Sequence, residues 1–187
     1  MVQNDVHRSD SIVLSPQRIH EAQANMKRYV SEGLIKKQIF REEIFNVFMD
    51  NSNESLEMSR YLSDKSDLWT IVTAYYSMFY ISNAVLLKLG FKIEEKIPHK
   101  IAADAMIVLV RNKLKDSLFK DYEDAQNEAL AGIKADTLLE EFDLERKKRG
   151  LFQYETTRSE KHSKAQTSLK RAKNYVFEMK KLLKEIK

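Results

Sequence analysis

Between Leu68 and Leu87 twenty consecutive positions carry no charged side chain, in a chain of 187 residues of which 32% are charged. The stretch from Asp67 to Gly90, DLWTIVTAYYSMFYISNAVLLKLG, is apolar all round a helix rather than along one stripe. Such a helix belongs at the centre of a bundle or in a bilayer. Thr70, Thr73, Tyr75, Tyr76, Ser77, Tyr80, Ser82 and Asn83 make it too polar for a membrane span. It is therefore expected as the central helix of a bundle, with no membrane partner.

The flanking pattern supplies the other helices. Ser15-Pro16 offers an N-cap followed by Pro at the first helical position, opening a helix that Gly33 ends. A second helix is expected from about Lys37 to Leu62, with Ile39, Phe40, Ile44, Phe45, Phe48, Leu56 and Tyr61 as core positions. Ser63 to Asp67 reads as a turn that caps the central helix, so these two helices should run antiparallel. Gly90 ends the central helix, and a further helix follows from about His99 to Asp116. Its inner face is read as Ile101, Ala105, Val108, Leu109 and Asn112, widened by Met106, Ile107 and Val110. Another is expected over Lys120 to Phe142, with Tyr122, Ala125, Ala129, Ile133 and Leu138 inward. The last, from about Thr157 to Ile186, carries a heptad seam of Ala165, Leu169, Ala172, Val176, Met179, Leu183 and Ile186. Whether that seam packs within the chain or between two chains is open at this stage.

Composition narrows the picture. Four Gly and two Pro argue against a loop-rich or β-rich fold. The expectation is an all-α antiparallel bundle of five to six helices with a long C-terminal helix, one domain over residues 15 to 187, preceded by a flexible tail over 1 to 14. The absence of Cys excludes disulfides, thiolate metal sites and a Cys nucleophile. The N-terminal sequence has no apolar signal core, so a cytoplasmic location is expected. The net charge of +4 is unevenly spread, because residues 143 to 187 hold 14 Lys/Arg against 6 Asp/Glu. That imbalance suits an acidic partner or nucleic acid, and it also suits a merely soluble helix.

Four segments in order carry a resemblance. AYYSMFYISNAVLLKLG, then PHKIAADAM, then RGLFQY, then AQTSLKRAKNYVFEMKKLL, with NMKRYVSEGLIKK before them, together resemble the HEPN superfamily of prokaryotic helical-bundle proteins over about residues 17 to 186. The resemblance implies a bundle that commonly dimerises. It also implies one of several activities: metal-independent RNA cleavage by an Arg followed four to six positions later by a His, binding of nucleic acid or nucleotides, or pairing with a small nucleotidyltransferase in a toxin–antitoxin system.

At the motif this chain departs from the family. Arg149 matches the family arginine, but five positions on stands Tyr154 in place of His. A phenol, with an ordinary pKa of about 10, is a poor acceptor for a 2′-hydroxyl proton near neutrality. A guanidinium still holds phosphate through its planar fork. The expected site for RNA or a nucleotide is therefore Arg146, Arg149, Gln153 and Tyr154, with Lys147 and Lys148 adding positive potential. The plainer alternative is a solvated basic stretch after Glu140-Glu141.

Arg158 and His162, four apart on one helix face, are the candidates for residual catalysis. His162 also extends the heptad seam backwards, which favours a bundle-facing structural role. His99 is expected to cap or pack. Tyr75, Tyr76, Phe79 and Tyr80 could offer a base-stacking platform, although aromatics on a buried helix are more often core. No metal site and no cofactor are expected. The leading expectation is thus a dimeric binding module for RNA, a nucleotide or a nucleotidyltransferase partner. The alternatives are a ribonuclease toxin with a non-standard Arg/His or Arg/Tyr pair, and a purely structural interaction protein.

Overall fold

The computed structural model describes residues 13–94, 98–142 and 154–186, with side chains placed over 13–94, 98–134 and 160–186. Among the described residues the fold is an all-α bundle of six helices with one small ribbon. Its elements are α1 (Pro16–Ser31), β1 (Ile35–Lys37), α2 (Glu42–Leu62), α3 (Asp67–Lys88), β2 (Phe91–Ile93), α4 (Pro98–Val110), a 3-10 turn (Arg111–Lys113), α5 (Asp116–Phe142) and the long α6 (Tyr154–Glu185). Helix α3 is the hub, packed by α2, α4, α5 and α6, while α1 lies mainly on α4.

The hub is buried as its charge-free sequence demands. Its polar groups turn inward onto backbone: Thr70 Oγ1 donates to Ser66 O, Ser77 Oγ to Ala74 O, Ser82 Oγ to Met78 O and Asn83 Nδ2 to Phe79 O. Each hydrophilic side chain thus spends its donor on a carbonyl of the preceding turn, which removes the cost of burying it. Helix α3 is long and apolar enough to cross a membrane, yet 72% of its most apolar window is buried inside the bundle.

Two buried serines set α2 against it. Ser52 Oγ donates to Ser77 O at 2.8 Å, and Ser59 Oγ donates to Thr70 O at 2.9 Å. Both serines are fully buried and seven apart, as are their two acceptors on the antiparallel α3. Small side chains bring the helices close, and the paired bonds hold one register.

The caps follow the sequence. Ser15 Oγ accepts from Arg18 N at 3.1 Å with Pro16 next to it, and Ser66 Oγ accepts from Trp69 N at 3.4 Å. Gly33 and Gly90 both adopt positive φ, +68° and +82°, reversing the chain after α1 and α3. The two reversals align short strands in antiparallel register, Ile35 opposite Ile93 and Lys37 opposite Phe91. This ribbon was not anticipated. It also shortens the second helix: α2 starts at Glu42 rather than near Lys37, so Ile39 is 87% exposed and Phe40 partly exposed instead of core. Tyr61 is exposed too, whereas Leu56 is buried as expected.

Helix α4 presents Ile101, Ala105, Met106, Ile107 and Val110 inward, but Val108 and Asn112 face solvent. The inner arc is rotated by Asp104, which is fully buried and faces α1. Leu14, placed in the tail by the sequence, is buried, and its N–H donates to Asp116 Oδ2 at 3.0 Å. Residues 1–12 lie outside the described residues.

The heptad seam packs within the chain. Ala165, Leu169, Ala172, Val176 and Met179 are buried, Leu183 and Ile186 pack at the edge of the same core, and α6 lies along α3. Tyr175, fully buried between them, shares a 2.8 Å hydrogen bond with Ser82.

Candidate functional site

The buried arc of α6 leaves the opposite arc unpartnered among the described residues. At about 100° per residue, Lys170, Lys173, Phe177, Lys181 and Lys184 fall within an arc of about 80° and extend about 21 Å along the helix, while Gln166 at its near end donates to Ser63 O at 3.5 Å. Phe177 is 60% exposed, with Lys181 Nζ 5.5 Å from its ring centroid. Gln166, Lys170, Lys173 and Asn174 border an open hollow whose apolar floor is Leu169 and Phe177. Of these lysines Lys181 is paired, to Glu178 on the same helix at 3.0 Å. An aromatic face set among lysine ammonium groups can stack a planar ring while the cations meet phosphates.

The one arginine of this segment with a resolved environment is turned to a different use. Arg171 projects sideways and meets Asp121, Asp124 and Glu128 of α5 at 3.3, 3.3 and 3.0 Å. Burial raises the Asp121 pKa above its ordinary value, against the opposing pull of Arg171. This cluster clamps α5 to α6 and keeps these three carboxylates away from the lysine face.

Of the residues singled out in the sequence, Arg146, Arg149 and Gln153 lie outside the described residues. Tyr154 begins α6 and Arg158 lies on it, with the side chains of both outside the described set. His162 is described and sits at the rim of the bundle, against the start of α3. It is half exposed, and its Nδ1 lies 2.9 Å from Asp67 Oδ1 at the start of α3. A carboxylate on Nδ1 fixes the ring's orientation and tautomer.

The aromatic group on α3 divides in two. Tyr75 is fully buried and shares a 2.8 Å hydrogen bond with His99 Nδ1, while Tyr76 and Phe79 are partly exposed around the same imidazole and Tyr80 packs on those two rings. Phe79 lies closest, its ring centroid 4.5 Å from that of His99. Burial lowers the His99 pKa below its ordinary value, so the ring is neutral at pH 7. This is a packed structural cluster with one open edge.

A polar network that the sequence reading missed centres on Asp104. Tyr29 Oη donates to its Oδ2 at 2.8 Å and Asn25 Nδ2 to the same oxygen at 2.9 Å, while Arg18 Nη2 stands 2.7 Å from Oδ1. Arg18 Nε also donates to Glu123 Oε1 at 2.6 Å. Burial, reinforced by the Asp104 carboxylate, pushes the Tyr29 hydroxyl up to about 12. The signal lay in a lone Asp inside the apolar run IAADAMIVLV and in Arg18, Asn25 and Tyr29 at spacings of seven and four.

Among the described residues no group of three or more His, Asp or Glu is disposed to hold a metal ion. No family model, no curated protein and no solved structure matches this chain.

Proposed function

We propose that this chain is a HEPN-like binding module, a cytoplasmic homodimer that engages RNA or a nucleotide, alone or beside a nucleotidyltransferase partner in a toxin–antitoxin system. The observation that carries the reading is the outer face of α6, where an exposed Phe177 sits among Lys170, Lys173, Lys181 and Lys184. In the sequence this helix is preceded by Arg146-Lys147-Lys148-Arg149, which adds four positive charges to the chain before α6. Tyr154 in place of the family histidine favours binding over cleavage. Fluorescence anisotropy with a labelled single-stranded RNA tests this directly. Lys170→Glu with Lys173→Glu should abolish binding, and Arg149→Ala should weaken it. Binding by neither the parent chain nor any variant would overturn the reading, and light scattering reports the dimer.

A second reading has one observation in its favour. His162, held by Asp67 at 2.9 Å and half exposed, has the arrangement of a general base, and Arg158 precedes it by one helical turn. In that case the protein is a metal-independent ribonuclease. RNA cleavage in the presence of chelator, lost in both His162→Ala and Asp67→Asn, supports it. Intact RNA at high protein concentration removes it.

A further inference from the structure

We propose that the polar hollow between α1, α4 and α5 binds a small zwitterion of the free amino-acid type. The hollow measures about 400 Å³ and none of its lining comes from α6, so it is separate from the proposed RNA face. Its floor is rigid. Asp104, with no exposed surface, gathers Tyr29, Asn25 and Arg18, and Arg18 is fixed a second time by Glu123. These bonds already account for the docking of α1 on α4.

The walls carry groups the fold does not use. Lys100, Gln126 and Asn127 line the hollow, and their side chains enter no hydrogen bond or ion pair with the described residues. The same lining includes the carboxylates of Glu21 and Glu123, each spending one oxygen within the fold, on Gln17 and Arg18 respectively, and leaving the other. The hollow therefore offers free acceptors for an ammonium and free donors for a carboxylate, all within one space.

The signs of the lining select the ligand. A simple anion would meet three carboxylates, from Glu21, Asp104 and Glu123. A simple cation would meet Arg18 and Lys100. A molecule with both charged groups on one carbon satisfies each set, its ammonium toward Glu21 and Glu123 and its carboxylate toward Lys100 and the amide N–H groups of Gln126 and Asn127. A site of this volume falls within the ordinary range for small-molecule pockets and accommodates an amino acid with a few waters.

Thermal-shift and titration calorimetry on the full chain, with each of the twenty amino acids at millimolar concentration, provide the test. Acetate and methylammonium, added together, serve as the divided ligand. At least one amino acid should bind and raise the melting temperature, and the divided ligand should not. Lys100→Met and Gln126→Leu, which remove no bond of the fold, should each weaken that binding threefold or more and leave the unliganded melting temperature unchanged. No response to any amino acid overturns the proposal. So does an equal response to the divided ligand, or binding less than threefold weaker in both variants. The RNA measurements above are indifferent to all of these outcomes.

Discussion

At the scale of single residues, Asp104 and His99 show how burial converts a polar side chain into a structural commitment. Asp104→Ala should destabilise the fold by about 3 kcal/mol, because it strips the acceptor from Tyr29 and Asn25 and leaves Arg18 half buried with Glu123 alone. Chemical denaturation measures it. His99 gives a pH signature. Its folded pKa lies below the unfolded value of about 6.5, so the unfolded chain takes up the proton first. The stability contributed by the neutral ring is complete above about pH 6.5 and is lost as the pH falls from there toward the folded value. Unfolding curves for His99→Phe should be flatter across that interval than those of the parent. The sequence marked His99 as a packing residue, and it is one. It could not mark Asp104, because a single acidic residue in an apolar run is recognisable as buried only when its partners, 75 to 86 positions earlier, are known to face it.

At the scale of elements, legibility followed the length of the pattern. Helix α3 was readable because twenty uncharged positions admit few other placements, and the α6 seam because seven positions keep one period. The three-residue strands were not, since Ile35–Lys37 and Phe91–Ile93 are too short to show alternation. They come together only because Gly33 and Gly90 both reverse the chain. That ribbon in turn explains the misplaced start of α2, whose apparent apolar lead, Ile39-Phe40, belongs to the connection. The clasp between α2 and α3 is testable at this scale. Ser52→Ala and Ser59→Ala should each cost about 1 kcal/mol from the lost hydrogen bond. Valine at either position should cost more, by about 1–3 kcal/mol of overpacking, because the helices meet there on small side chains. Thermal denaturation of the two series distinguishes bond from volume.

At the scale of the whole molecule, charge is sorted by surface. Asp121, Asp124 and Glu128 of α5 are drawn onto Arg171, while Lys170, Lys173, Lys181 and Lys184 of α6 face outward. The excess positive charge was legible in the composition of residues 143 to 187, but which lysines share an arc depended on which arc the seam buried. If the outer face of α6 tracks a single strand, the salt dependence of binding should register it. Each lysine removed from the set Lys170, Lys173, Lys181 and Lys184 should reduce the slope of log K against log salt by about 0.7. Phe177→Ala should leave that slope unchanged and weaken binding by about 1–3 kcal/mol through lost stacking.

The paired serines of α2 also fix where this chain can tolerate a change in length. An extra residue between Ser52 and Ser59 would turn one serine about 100° away from its carbonyl while the other stayed seated, and one between Thr70 and Ser77 would do the same from the other side. The turn over 63–66 lies outside both intervals, and lengthening it leaves the two contacts in phase. Insertions should therefore be accepted at that corner and rejected a few residues away on either side of it.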